Sequence, residues 1–236
     1  MNWDKFEFKS VLGYVGNKDR MELLKKEFAR VGMTDYQILW NFDSVFVDKL
    51  FRVVPMKKNR KPSIFNNALG HYRMIKTAYQ LGCKNALLME DDIRFLKDKN
   101  KLEKIVDCIP EDYELALLDS IKDGWNETPK VNDYWSILDK GTSAACYAVN
   151  RTGMQRIIQI YEHSITERNG SIYPSDTFFR KEIMEIPKPV SVTKMYYAPL
   201  NAARQVKVLD SKTNTNYDRW SQFYEMRGCN RELYGD

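Results

Sequence analysis

The 236-residue chain is long enough to bury a substantial core and is sized for one large α/β domain. Its 37 Lys plus Arg against 32 Asp plus Glu leave a net charge of +5, a mild excess that suits an anionic ligand or membrane surface without calling for nucleic acid. No stretch approaches the roughly 18 apolar residues that span a bilayer; the charged start from Met1 to Glu7 lacks an export signal, and Cys83, Cys108, Cys146 and Cys229 show no metal-ligand spacing and read as reduced thiols. The expected setting is cytoplasmic.

In chain order, Val11 to Val15 reads as a strand, and a helix then opens with Asp19 and Glu22 spaced as a capping box. Leu24, Phe28 and Val31 mark its apolar face and Gly32 ends it. Tyr36 to Trp40 is a second strand, so the chain begins strand, helix, strand, the pattern of a parallel sheet. This start carries neither GxGxxG nor a P-loop, which argues against dinucleotide and Walker-type phosphate sites. Arg20 reads as solvent-facing, with contact to a phosphate as its functional alternative.

From Asp43 to Ser63 the periodicity fades into a long loop holding Lys57, Lys58, Arg60 and Lys61. The cluster reads first as solvated surface; its functional reading is a grip on an anionic acceptor or peripheral contact with an anionic membrane. Ser63 to Leu81 is a helix with Ala68, Tyr72, Ile75 and Tyr79 on one face, His71 within it and Gly82 as terminator.

The most informative stretch follows. Ala86 to Met89 run directly into Glu90, Asp91 and Asp92, so a buried strand ends in three adjacent carboxylates. Like charges at that spacing repel and raise one another's pKa unless a cation intervenes. Hard carboxylate oxygens suit Mg²⁺, Mn²⁺ or Ca²⁺, and the carboxyl end of a strand is where open α/β sheets bind ligands. The bland alternative is an acidic turn facing water.

Beyond it, Leu102 to Ile109 reads as a helix and Leu115 to Leu118 as a strand closed by Asp119, which repeats the placement of Asp92. Asp123 to Lys140 reads as an irregular insertion, and the small residues after Gly141 approach another strand. Thr152 with Gln155 reads as a capping box for a helix through Tyr161, and Ser175 or Asp176 as the cap of a short helix from Thr177. Val190 to Tyr197 alternates as a strand at the sheet's edge or in a smaller ribbon, and a polar tail begins at Leu209.

The order of these pieces resembles glycosyltransferase family 25, the LPS-biosynthesis glycosyltransferases. The matching places are Asp19-Arg20, Gly70-His71, Leu88 to Asp92, Gly141 to Tyr147 running into Arg151-Thr-Gly153, and Tyr173-Pro-Ser-Asp176, with a weaker match at Pro199, Gln205 and Ser211. The family usually has Ser where this chain has Gly70. The resemblance implies a GT-A-like α/β fold, a mixed and mainly parallel sheet flanked by helices in a single domain. Residues 1–120 would form the nucleotide-sugar and metal half, 121–208 the acceptor half, and 209–236 the tail.

The resemblance further implies Mn²⁺ or Mg²⁺ as cofactor, held by Asp92 and Glu90, and a UDP-sugar donor contacted by Glu90, Asp91, Arg20 and His71. A hexose such as galactose would pass to a hydroxyl of a bacterial glycan or glycolipid acceptor, in lipopolysaccharide or capsule. Asp176 would stand on the acceptor side as base or orienting carboxylate, with Asp119 as the second candidate. Two other classes use the same carboxylates: a metal-dependent nucleotidyl- or phosphotransferase, and a non-catalytic nucleotide- or glycan-binding module.

Overall fold

A computed structural model of the chain describes residues 3–16, 18–43, 45–47, 49, 62–119, 121–122, 129–138, 141–167, 194–198 and 203–205. All of them fall in one compact unit, Met1–Gln205; the second unit, Val206–Asp236, lies outside the described residues, as do the polar tail's aromatic residues and Cys229. The basic cluster from Lys57 to Lys61 and the loop holding Tyr173 and Asp176 lie outside them too.

Strands β1 (Phe8–Gly13), β2 (Gln37–Trp40), β3 (Asn85–Glu90), β5 (Leu115–Leu117), β7 (Ser136–Ile137), β9 (Cys146–Asn150) and β10 (Met195–Tyr197) form a seven-stranded sheet in the order β2-β1-β3-β9-β5-β10-β7. β1, β2, β3, β5 and β10 run one way, while β9 and β7 run against them. Helices α1 (Lys18–Val31), α2 (Pro62–Gln80), α3 (Lys99–Asp107) and α4 (Arg151–Glu167) flank the sheet. The expected α/β architecture with a mainly parallel sheet is therefore present. Two small ribbons complete the described structure, β4 (Ile93–Phe95) with β11 (Ala203–Gln205) and β6 (Ile121–Lys122) with β8 (Gly141–Thr142).

The side-chain period of two sorts the strands into two cores. Ala86, Leu88, Leu115, Leu117, Tyr147, Val149, Met195 and Tyr197 pack with α2 and α4 on one face. Their alternates Leu87, Met89, Ala116, Leu118, Cys146, Ala148 and Tyr196 pack with Leu24, Phe28 and Val31 of α1 and Leu102, Ile105 and Val106 of α3 on the other. Because both faces are covered, β3 reads as a continuous apolar run. The two faces also explain the helices: each needs only one apolar stripe to close its side of the sheet.

Several local expectations are corrected. The first strand starts at Phe8, and Val15 is two-thirds exposed, because the pairing with β2 and β3 stops at Gly13. Asp19 lies inside α1, and Glu22 pairs with Lys25 rather than closing a capping box. α4 is capped two residues earlier than Thr152 suggests, by Asn150, whose Oδ1 accepts from the Gly153 N–H at 2.8 Å. Residues 45–47 are helical within the stretch read as loop. The stretch read as an irregular insertion supplies edge strand β7 and the fully buried Trp135, whose Nε1–H donates to Ile105 O at 2.8 Å. β10 in turn lies inside the sheet, between β5 and β7, not at its edge. Gly32 and Gly82 do end their helices at φ of +71° and +82°, where a side chain would be strained.

Candidate active site

From β1 the chain crosses over α1 to β2 on one side, then returns across α2 to β3 on the other. The strand order thus switches between β1 and β3, and the carboxyl ends of strands at such a switch are the usual ligand position in these sheets. Tyr14 follows β1 and Glu90 ends β3, so both stand at this switch.

The alternation along β3 sends the adjacent carboxylates in different directions. Glu90 continues the Ala86 and Leu88 face and meets α2: its Oε1 accepts from Asn67 Nδ2 at 2.9 Å and lies 3.1 Å from His71 Nε2. Asp91 turns toward α1. Its Oδ2 accepts the Tyr14 backbone N–H at 3.1 Å, and its Oδ1 accepts from Arg20 Nη1 at 3.2 Å. The same Arg20 nitrogen donates to Asp92 Oδ2 at 3.4 Å. Arg20 is therefore not a solvent-facing residue; it retains 19% exposure and bridges two buried carboxylates.

Burial drives the electrostatics here. It raises the carboxyl of Asp91, against the opposing pull of Arg20 and the Tyr14 N–H. Asp92 is pushed up to about 8, first by burial and next by the neighbouring charge of Glu90, with Arg20 again opposing. Ionising the whole cluster is therefore costly without added positive charge.

Asp91 Oδ1 and Asp92 Oδ2 converge on one cationic nitrogen, so the pair can share a cation. An octahedral divalent ion that takes one or two carboxylates and fills its other positions with water and phosphate oxygens fits such a donor set. Among the described residues no group of three or more His, Cys, Asp or Glu is gathered to hold a metal.

The other sequence candidates fall into place around this edge. β9 runs antiparallel between β3 and β5, with Glu90 N–H donating to Ala145 O at 2.8 Å and Asp119 N–H to Cys146 O at 3.3 Å. Glu90 and Asp119 are thus two strands apart, about 10 Å by the usual spacing, on one edge of the sheet. Asp119 is buried and accepts the Ser143 hydroxyl at 3.1 Å. His71 is fully buried behind Glu90. Gly70 stands against the end of β1, where a Cβ would come within 2.5 to 2.6 Å of the Leu12 side chain and Asn41 Oδ1, so a larger residue here requires the ends of those side chains to shift.

Three participants escape a reading of the sequence. Asn67 stands one helical turn before His71, a spacing that was there to be used. Ser143 and Tyr147 fall within the Gly141 to Tyr147 match, but nothing local assigns their roles, since their partners come from other elements.

No protein-family model matches the chain, and no curated protein matches it. The family 25 resemblance is therefore carried by its motifs. Among solved structures the chain is similar to a glycosyltransferase involved in glycosylation of the major capsid of PBCV-1, with 9% identity, 82% of this chain and 83% of that one covered, and a TM-score of 0.45. It is similar also to the galactosyltransferase LgtC in complex with donor and acceptor sugar analogs, at 11% identity, 92% and 95% coverage and a TM-score of 0.43. A third, the glycosyltransferase GlyE of Streptococcus pneumoniae TIGR4, shares 11% identity over 95% of this chain and 51% of that one, at a TM-score of 0.46. Likenesses at this level decide nothing about the chemistry, which rests on the residues.

Proposed function

We propose that the protein is a metal-dependent glycosyltransferase that moves a hexose such as galactose from a UDP-sugar to a hydroxyl of a bacterial surface glycan. The observation that carries this reading is the buried Asp91–Asp92 pair at the carboxyl end of β3, with both carboxylates aimed at one cation position beside the β1–β3 switch. The motif resemblance supplies the donor and acceptor classes.

On this reading Asp92 and Asp91 would hold Mn²⁺ or Mg²⁺; Asp91 takes the place that the resemblance gives to Glu90, because Asp91 shares the Arg20 nitrogen with Asp92 while Glu90 turns to Asn67 and His71. Such an ion would neutralise the departing diphosphate as Lewis acid and template. Arg20 keeps the pair compact and can lend its charge to a phosphate. Burial of the acids behind Tyr14 and Arg20 keeps the local dielectric low, which strengthens every charge interaction with the donor. A carboxylate must then take the acceptor proton. Asp176 is the proposed base, and Asp119, on the same sheet edge as Glu90, is the second candidate. The basic residues from Lys57 to Lys61 are the proposed peripheral contact with an anionic membrane surface.

Calorimetry with UDP tests the reading. Binding is expected to require Mn²⁺ and to be largely lost in Asp92→Ala, because diphosphate and carboxylates need the same cation between them. Equal affinity in EDTA and Mn²⁺ would sink it. In turnover, release of UDP supports glycosyl transfer, whereas release of pyrophosphate would favour a nucleotidyltransferase.

A further inference from the structure

The fully buried His71 lies between a tyrosine and an acid. Its Nδ1 is 3.0 Å from the Tyr147 hydroxyl, and its Nε2 is 3.1 Å from Glu90 Oε1. Three elements build this line: His71 on α2, Glu90 at the end of β3, and Tyr147 on β9, whose backbone pairs with Leu88 of β3 and so faces the same side of the sheet. Asn67, one turn before His71, donates to the same Glu90 oxygen at 2.9 Å.

Donor and acceptor chemistry gives the line a direction. Burial holds the Tyr147 phenol well above its ordinary range, so it keeps its proton and has one to donate. An ionised carboxylate only accepts. An imidazole between the two satisfies both when Nε2 carries its proton and Nδ1 its lone pair. Tyr147 O–H then donates to Nδ1, and Nε2–H donates to Glu90.

We propose that His71 is a positioning residue: Tyr147 locks its ring in the Nε2–H tautomer, and the ring holds the Glu90 carboxylate in place at the donor edge of the sheet. His71 touches no ligand on this account and acts through Glu90. The wiring stands on the hydrogen-bond geometry and the buried phenol; its consequence for donor binding rests on the glycosyltransferase reading. Orienting groups of this kind, one shell behind a ligand-binding carboxylate, typically contribute about 10- to 100-fold in affinity or activity.

The chain has only two histidines, so His163→Gln leaves His71 as the sole imidazole signal in a ¹⁵N spectrum. At neutral pH that spectrum is expected to show a protonated Nε2 and a lone-pair Nδ1, and Tyr147→Phe, which keeps the ring volume, is expected to mix the tautomers. UDP binding in Mn²⁺ is expected to weaken about 10- to 100-fold in His71→Ala and to recover in His71→Gln, whose amide reaches as far as Nε2. Tyr147→Phe, with an unchanged melting temperature, is expected to weaken it by a smaller factor, and this variant carries the binding test if His71→Ala does not fold. An Nδ1-protonated ring in the parent protein overturns the proposal, as does undiminished UDP binding in folded His71→Ala or Tyr147→Phe. A parent protein that binds no UDP in Mn²⁺ overturns the donor reading instead, while the ¹⁵N spectrum still decides the wiring.

Discussion

Ser143 has a φ of 148°, a region that side chains avoid and glycine tolerates. The strain persists because the residue is pinned from both sides: its hydroxyl donates to Asp119 Oδ2 at 3.1 Å and accepts the Ala145 N–H at 3.3 Å. A strained, buried serine thus holds one of the two candidate bases at the sheet edge. Two variants separate strain from hydrogen bonding, since Ser143→Ala and Ser143→Gly both lose the hydroxyl but only glycine relaxes the backbone. Strain at such a φ costs about 1–3 kcal/mol, and glycine loses about 0.5–1 kcal/mol of that through backbone entropy. Urea unfolding is expected to find Ser143→Gly more stable than Ser143→Ala by up to about 2.5 kcal/mol, the strain relieved less the entropy lost. A Ser143→Ala variant more stable than Ser143→Gly by the entropy difference alone, about 0.5–1 kcal/mol, would mean that the backbone is not strained in solution.

Among the elements, α4 sets two rules of thumb against each other. Gly153 lies in its first turn, where alanine is favoured by about 1 kcal/mol on helix propensity. The space says otherwise. A Cβ at Gly153 would run into the Glu114 carbonyl oxygen at the entry to β5 and stand 3.0 Å from Val149 Cγ2. Backbone cannot retreat as a flexible side chain can, so the close approach should win. Gly153→Ala is expected to lower the melting temperature despite its better propensity, and a stabilised variant would show that α4 and the entry to β5 can move apart cheaply. The same corner explains the cap: Asn150 ends β9, donates its N–H to Glu114 O at 3.3 Å and accepts the Gly153 N–H, so it fixes both the strand's end and the helix's start.

At the scale of the whole molecule, the fold is expected to stand without a metal. Both faces of the sheet are closed by apolar side chains, and Arg20 already supplies positive charge to the acidic pair. EDTA alone is therefore expected to leave the melting temperature nearly unchanged. Mn²⁺ with UDP is expected to raise it in proportion to ligand concentration over affinity, since only the folded state offers the site. Unfolding on chelation would show instead that the ion is structural. No helix among the described residues is long and apolar enough to cross a membrane.

How much of this was legible follows from how far apart the partners lie in the chain. Apolar period, glycine stops and a strand running into carboxylates are local patterns, and they predicted β3, the buried face of α1, Ala68 and Ile75 of the α2 face, and the acidic edge. Strand order and partner choice are not local. Arg20 meets Asp91 across 71 residues, and His71 meets Tyr147 across 76. The alternation that sends Glu90 to α2 and Asp91 to α1 acquires meaning only once the helices are assigned to opposite faces. Trp135 and β10 were misplaced for a related reason: a short segment looks irregular or peripheral until a neighbouring strand pairs with it and a helix covers it. The sequence by itself thus determined that an acidic strand end exists in an α/β sheet. Only the tertiary structure decided which residues stand behind each acid, because those contacts arise from packing the two layers of helices on one sheet, not from any spacing along the chain.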